Sequence, residues 1–155
     1  MTQLKQISEQ VVARFGAAHR TLGTAESLTG GLIASSMVEV PGASQVVKGG
    51  FVTYQSVSKT MLLGVPAEMI EQYDVVSAEV ARAMAKGARE RLGVDIAVSA
   101  TGLAGPDGGT PERPVGTVFL GIATAKGVYD IPLHLTGNRA RIRTLTMKNA
   151  LNAVR

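Results

Sequence analysis

The sequence contains no cysteine, which excludes disulfides, thiolate metal sites and a cysteine nucleophile. Its two histidines, His19 and His134, stand far apart, one closing a helical segment and one within a strand segment. Neither position suits a catalytic base, and they cannot form a metal cluster. Aromatic residues make up 4% of the chain, leaving little on which bases could stack, so a nucleic-acid partner is disfavoured. No apolar run approaches the ~20 residues of a membrane span, and the opening "MTQLKQISEQ" lacks the apolar core of a signal peptide. Acids are missing from one region: residues 131–155 hold five Lys/Arg and no Asp/Glu, whereas residues 1–130 are nearly balanced. The formal charge of +4 therefore sits on one terminal element and is not a field over the whole surface. These absences predict one soluble cytoplasmic domain over residues 1–155, without metal, cofactor or membrane partner, and a homo-oligomer is expected.

The 155 residues, 45% of them hydrophobic, suffice for one core, since a chain of this length buries roughly 70% of its unfolded surface. Residues 4–18 set Leu4, Ile7, Val11, Val12 and Phe15 at helical spacing. A short strand over 21–25 leads into "ESLTGG", and a helix follows as far as the turn pair Pro41-Gly42. "GGFVTY" (49–54) reads as a strand, and "SVSKTMLLG" as a short helix. "PAEMIEQY" reads as another, with Pro66 at its first position. The spacing predicts a helix over 78–92 and a buried strand over 94–101. "VGTVFLGIAT" and "VYDIPLHLT", joined by "AKG", predict a hairpin, and a last helix runs from about Asn138. Helix-separated strands followed by a hairpin favour an α/β fold: a single three-layer αβα domain with a mixed sheet of about five strands.

Three stretches could carry chemistry. "TAESLTGG" (24–31) sets Ser27 where a strand turns into a helix, so it serves either as an ordinary helix N-cap or as a nucleophile. Gly30 and Gly31 weaken a first helical turn by roughly 1 kcal/mol each, which makes sense if backbone amides there must approach an anion or a developing oxyanion. A serine needs a base, and "GGFVTYQSVSK" offers Tyr54 at a strand end with Lys59 a helical turn later. Lys59 is either a solvated surface lysine or, if burial lowers its pKa from ~10.4, a base. The loop "GLAGPDGGTPERP" (102–114) holds four glycines and three prolines. It reads as a surface excursion or as a ligand loop, and Thr101 before it sits at the carboxyl end of a strand, where ligands of open α/β sheets gather. In the last helix, stepping 100° per residue puts Arg139 and Arg143 in line with Met147, Ala150, Leu151 and Val154, with Arg141 and Lys148 opposite. Two like charges at the positive end of a helix need an anion, either an internal carboxylate such as Glu26 or Asp107 or a phosphate-bearing ligand.

Taken together, "TAESLTGG", "GGFVTYQSVSK", "SATGLAGPDGGTPERPVGTV" and "GNRARIR" resemble the CinA C-terminal domain family, in the family's order and over residues 24–143. The resemblance implies a three-layer αβα fold and a nicotinamide-nucleotide amidase (NMN deamidase) activity. That reaction hydrolyses nicotinamide mononucleotide to nicotinate mononucleotide and ammonia, without a metal, so the implied partner is a small-molecule pyridine nucleotide. By motif, Ser27 matches the family's nucleophile, and Lys59 and Tyr54 match its activating pair. Thr101 with Gly102, Ala104, Gly105, Gly108 and Gly109 matches the substrate-pocket segment. Glu26, Thr29, Gly30 and Gly31 flank the nucleophile and complete the substrate-binding candidates with Arg139 and Arg143. The two arginines match a "G.R..VR" pattern in which Ile142 here replaces the valine and Arg141 adds a charge. The alternative reading is a non-catalytic partner-binding or DNA-damage- and competence-associated accessory module.

Overall fold

A computed structural model describes residues 3–155. In chain order it contains α1 (Gln3–Ala17), β1 (Leu22–Glu26), α2 (Leu32–Val38), β2 (Val47–Val52), α3 (Ser56–Leu63), α4 (Ala67–Tyr73) and α5 (Ala78–Leu92). Then come β3 (Ile96–Gly102), β4 (Thr117–Thr124), β5 (Gly127–His134) and α6 (Arg139–Val154). The strands form one sheet in the order β2-β1-β3-β4-β5. β2, β1 and β3 are parallel, and β4 and β5 add an antiparallel hairpin.

Each face of the sheet carries its own core. On one, Ile7, Val11 and Phe15 of α1 pack with Ile33 and Met37 of α2 and Ile142 and Leu151 of α6. On the other, Val80, Met84 and Ala88 of α5 pack with Leu63 and Val65 against Ala25 and Ala97. The result is the expected αβα layering around a mixed five-stranded sheet. Among the described residues no helix is long and apolar enough to cross a membrane.

Local signals explain most boundaries. α5 begins where the Ser77 hydroxyl accepts from the Val80 amide and ends at left-handed Gly93 (φ 65°). α6 begins where the Asn138 side chain accepts from the Arg141 amide. Pro66 precedes α4 as its cap and is not its first residue. One expectation fails at a more important place. Ser27 does not cap a helix: residues 27–31 form a turn, and α2 starts only at Leu32. Gly30 (φ 58°) and Gly31 (φ 106°) hold left-handed backbone that interrupts the helix before it begins.

β1 lies between β2 and β3, with all five residues buried. The chain leaves it through α2 to reach β2 on one side, then returns through α3, α4 and α5 to β3 on the other. The carboxyl end of β1 is thus a topological switch point, the usual position for a ligand crevice in open α/β sheets.

Candidate active site

At that point Glu26 ends β1, paired with Val52 of β2 and Ala100 of β3. Its carboxylate supplies the cap that α2 lacks. Oε1 accepts from the Gly31 and Ile33 amides at 3.2 and 2.9 Å, and Oε2 from the Ala34 amide and the Thr24 hydroxyl at 3.0 and 3.1 Å. A buried carboxylate met by four donors is satisfied without a cation. Glu26 therefore holds the turn from beneath, and the idea that it neutralises the α6 arginines does not stand.

Ser27 follows, 8% exposed. Its amide donates to the Ala100 carbonyl at 3.0 Å, and its carbonyl accepts from the Gly30 amide at 3.1 Å. The side chain is free of the backbone and meets Lys59 Nζ at 3.1 Å. Lys59 is no surface residue, since it is 1% exposed. Nζ also donates to the Thr53 carbonyl at 2.7 Å, and the Thr53 amide in turn donates to the Glu26 carbonyl at 2.8 Å. Among the described residues no carboxylate pairs with Lys59. Burial without a counter-charge lowers its pKa from 10.5 to about 8. This is the environment in which a lysine loses its proton near neutrality and can accept one from a hydroxyl. The amide of Leu28, next in sequence to Ser27, finds no acceptor among the described residues, and Leu28 lines the same cavity as Ser27.

Ser27 and Lys59 open into a cavity of about 270 Å³ shared with Tyr54, Thr101, Gly105 and Arg139. Tyr54 is 60% exposed, and its hydroxyl accepts from Arg139 Nη2 at 3.0 Å; it makes no hydrogen bond to Ser27 or Lys59. Arg139 Nη1 donates to the Gly105 carbonyl at 2.8 Å, so one guanidinium ties the Tyr54 side to the 102–114 loop. Thr101 donates its hydroxyl to the Val75 carbonyl at 2.8 Å. That bond draws the segment between α4 and α5 into the site, where Val75 and Val76 form a wall.

The expected site residues thus divide. Ser27, Tyr54, Lys59, Thr101, Gly102, Ala104, Gly105 and Arg139 line the cavity. Glu26, Thr29, Gly30 and Gly31 lie behind it in the turn, and Gly108 and Gly109 are exposed farther along the loop. Arg143 also lies outside, donating to the Leu28 and Thr29 carbonyls at 2.8 and 3.3 Å. The buried residues of α6 are Ile142, Thr146, Met147, Ala150 and Leu151, while Arg139 is exposed and Arg143 half-buried. Both arginines face the protein as the helical wheel implies. The buried side of the first turns runs through Ile142 and Thr146 instead, so the arginines stand beside it and meet backbone carbonyls where an apolar stripe was expected. Val75, Val76 and the Leu28 amide were not legible, because nothing local marks a connector or an amide as part of a site.

A larger groove of about 590 Å³ runs along α5 beside α4 and β5. Its charges are largely met internally, with Arg82 on Glu79 and Asp130 and Arg91 on the Leu63 carbonyl, and it holds no buried nucleophile.

The model of the CinA C-terminal domain matches residues 4–155. A CinA-like protein of Dictyoglomus thermophilum is 45% identical over 149 residues, 96% of this chain and 36% of that protein. One from Citrifermentans bemidjiense is 50% identical over 135 residues, 87% of this chain and 33% of that protein. The chain therefore spans about a third of the length of these curated relatives. Among solved structures, the competence/damage inducible protein CihA of Agrobacterium tumefaciens superposes with a TM-score of 0.96 at 36% identity, covering 99% of this chain and 94% of that one. A CinA superfamily protein of Escherichia coli gives 0.93 at 32%, covering 97% and 87%. With its fold and nearly all its length accounted for in this way, the chain belongs to the CinA C-terminal domain family.

Proposed function

We propose that this domain is a metal-independent amidohydrolase that converts nicotinamide mononucleotide to nicotinate mononucleotide and ammonia. The observation that carries the reading is Lys59 Nζ, buried without a carboxylate partner and 3.1 Å from Ser27 Oγ. In the neutral form Lys59 takes the Ser27 proton as Oγ attacks the carboxamide carbon, and the Leu28 amide receives the oxyanion. The C–N bond then breaks, and the proton held on Lys59 passes to the departing nitrogen, which leaves as ammonia. Water, deprotonated by Lys59, hydrolyses the resulting nicotinoyl ester and restores Ser27. Tyr54 aids Lys59 in this reading, and because its hydroxyl accepts from Arg139 Nη2 it keeps its own O–H proton to donate. A cavity of about 270 Å³ lies just below the ~300–1,000 Å³ usual for ligand pockets, which favours a mononucleotide over a dinucleotide.

The test is ammonia release from nicotinamide mononucleotide, measured beside nicotinamide and its riboside with a strong chelator present. Release from the mononucleotide, undiminished by the chelator, is expected. Activity lost in the chelator and restored by zinc or magnesium would overturn the mechanism, and no release from any of the three would overturn the function.

A further inference from the structure

Buried hydroxyls in the rest of the domain are met: Ser99 donates to the Ala81 carbonyl at 2.6 Å, and Thr146 to the Ile142 carbonyl at 2.7 Å. Two buried side-chain oxygens, Thr29 Oγ1 and Thr53 Oγ1, find no partner among the described residues. Both residues are 0% exposed. They stand on the segments that hold the reacting pair, Thr29 in the Ser27 turn and Thr53 directly after β2. An unmet buried hydroxyl costs stability, so one kept at this place points to a state in which it is met. Thr53 has the closer tie to the chemistry. Its carbonyl accepts from Lys59 Nζ at 2.7 Å, and its amide donates to the Glu26 carbonyl at 2.8 Å. Those bonds fix the Thr53 backbone and leave rotation about Cα–Cβ to the hydroxyl. A lysine ammonium carries three N–H donors. At Lys59 one goes to the Thr53 carbonyl and one lies along the bond to Ser27 Oγ. The third has no acceptor among the described residues.

We propose that Thr53 is a positioning residue for the Lys59 base: its hydroxyl turns to accept the third N–H of the lysine once the Ser27 proton has moved onto Nζ. This role rests on the amidase reading and uses a group outside the cavity lining. As Ser27 Oγ bonds to the carboxamide carbon, its proton passes to Nζ and the amine becomes an ammonium. One N–H stays on the Thr53 carbonyl, one carries the proton bound for the departing nitrogen, and the third meets Thr53 Oγ1. Hydrogen bonds from a charged donor are stronger than those from a neutral one, so the hydroxyl favours the ammonium over the amine. It thereby offsets part of what burial costs that cation. The other charged and titratable groups around Lys59 are engaged or distant. Glu26 takes four donors, and Arg139 and the Tyr54 oxygen are paired. Asp107 stands on the 102–114 loop, and Arg91 of α5 donates to the Leu63 carbonyl at the end of α3. Glu68 and Glu71 of α4 and Lys86 and Glu90 of α5 are exposed.

The experiment compares the wild type with Thr53→Val, which keeps the shape without the hydroxyl, and with Thr53→Ser, which keeps the hydroxyl. Melting temperature, the pH profile of kcat/KM and the plateau kcat on nicotinamide mononucleotide are measured for each. Thr53→Val is expected to melt at or above the wild-type temperature, because a hydroxyl unmet in the resting protein has gone. Its kcat/KM inflection should fall by about half to one pH unit, and its plateau kcat by about threefold to tenfold. Thr53→Ser should recover most of both. An unmoved inflection in Thr53→Val overturns the inference and leaves the amidase reading intact. An earlier melt with kcat per folded molecule unchanged also overturns it, since the hydroxyl would then be a structural part. If the wild type releases no ammonia, the amidase reading falls by itself. An NMR titration of the Lys59 side chain, assigned with Lys59→Arg, then decides the inference. A lower midpoint in Thr53→Val, restored in Thr53→Ser, upholds the contact, and equal midpoints overturn it.

Discussion

The wall of the cavity formed by Ser27, Leu28 and Lys59 is buried and braced from behind by Glu26, whereas the wall formed by the first residues of the 102–114 loop passes into exposed chain after Gly105. In the first wall Glu26 takes four donors, the Ser27 backbone is tied to β3, and Lys59 is tied to the end of β2. In the second, closure comes from backbone pairs at the loop's base, Leu103 with Thr117 and Gly116 with Leu103. Beyond them, arginines reach across to carbonyls. Buried, partnered polar groups hold a geometry tightly, because moving them leaves charges or amides unmet at roughly 1–3 kcal/mol each. Half-exposed ties cost less to loosen. Under the proposed function, chemistry falls to the first wall and substrate fit to the second.

The largest expected effect breaks the first wall at its reacting atom. Ser27→Ala should lower kcat by about 10⁴-fold or more while leaving the fold in place. The hydroxyl makes a single side-chain bond, to Lys59, and losing it should move stability by about 1 kcal/mol. Ammonia release and thermal melting measured together decide the point. A variant that melts far earlier but keeps its rate per folded molecule would reduce Ser27 to a structural part.

Lys59 comes next. Lys59→Arg should be nearly as inactive as Lys59→Ala, because a guanidinium stays protonated and cannot take the serine proton. In the wild type, kcat/KM should rise with pH and level off above about 8, where burial has placed the lysine pKa. The same shift fixes a sign for stability. Between about 8 and the ordinary 10.5, the unfolded chain binds more protons than the folded one, so Lys59 makes stability rise with pH across that window. Below it both states are protonated and the cost of the buried cation is constant. Lys59→Met should flatten this part of the stability curve, and a curve unchanged by that substitution would remove burial as the cause.

How far each wall could be read from sequence follows from where its information lies. α5 was legible at 78–92 because its periodicity lies within the segment, and the structure adds the Ser77 and Gly93 caps directly on either side. The Ser27 turn was not, because its capping carboxylate lies before the turn while a serine, a standard cap, occupies the expected place. Lys59 could be read as a base for Ser27 or as a surface lysine, and the family resemblance favoured the first; no periodicity brings residues 27 and 59 to 3.1 Å. Arg139 and Arg143 had a legible direction but not a legible depth. That depends on which α6 residues the core takes up, here Ile142 and Thr146.

The two arginines sharpen the comparison, since they are one turn apart yet serve different walls. Arg143 grips the carbonyls of Leu28 and Thr29, so Arg143→Ala should loosen the nucleophile turn. The mononucleotide and its riboside should lose kcat/KM alike, by something like 1.5–3 kcal/mol. Arg139 lines the cavity and is the better placed to meet a phosphate. Arg139→Ala should weaken both substrates through Tyr54 and Gly105, but the mononucleotide by a further 1.5–3 kcal/mol or so. The readout is the ratio of the two substrates in each variant. Equal ratios would dissolve the distinction between the walls at α6.

The smallest expected effect lies in the second wall, at Arg113. This half-buried arginine donates from Nε to the Val76 carbonyl at 2.7 Å and from Nη2 to the Tyr73 carbonyl at 2.8 Å. It thereby fastens the 102–114 loop to the connector whose Val75 and Val76 line the cavity. Its own position is set by a local turn, where the Thr110 amide donates to the Arg113 carbonyl and the Arg113 amide donates to the Thr110 hydroxyl. Arg113→Ala frees both sides of that tie at once but touches neither Ser27 nor Lys59. Hydrogen bonds from a charged donor near solvent are worth about 1 kcal/mol in net terms, so KM should rise roughly threefold to tenfold with kcat little changed. Arg113→Lys, which keeps the charge but loses the two-pronged reach, should recover only part of the loss. A fall in kcat at constant KM would mean that the loop orders the nucleophile turn as well, and the division between a wall for chemistry and a wall for fit would fail there.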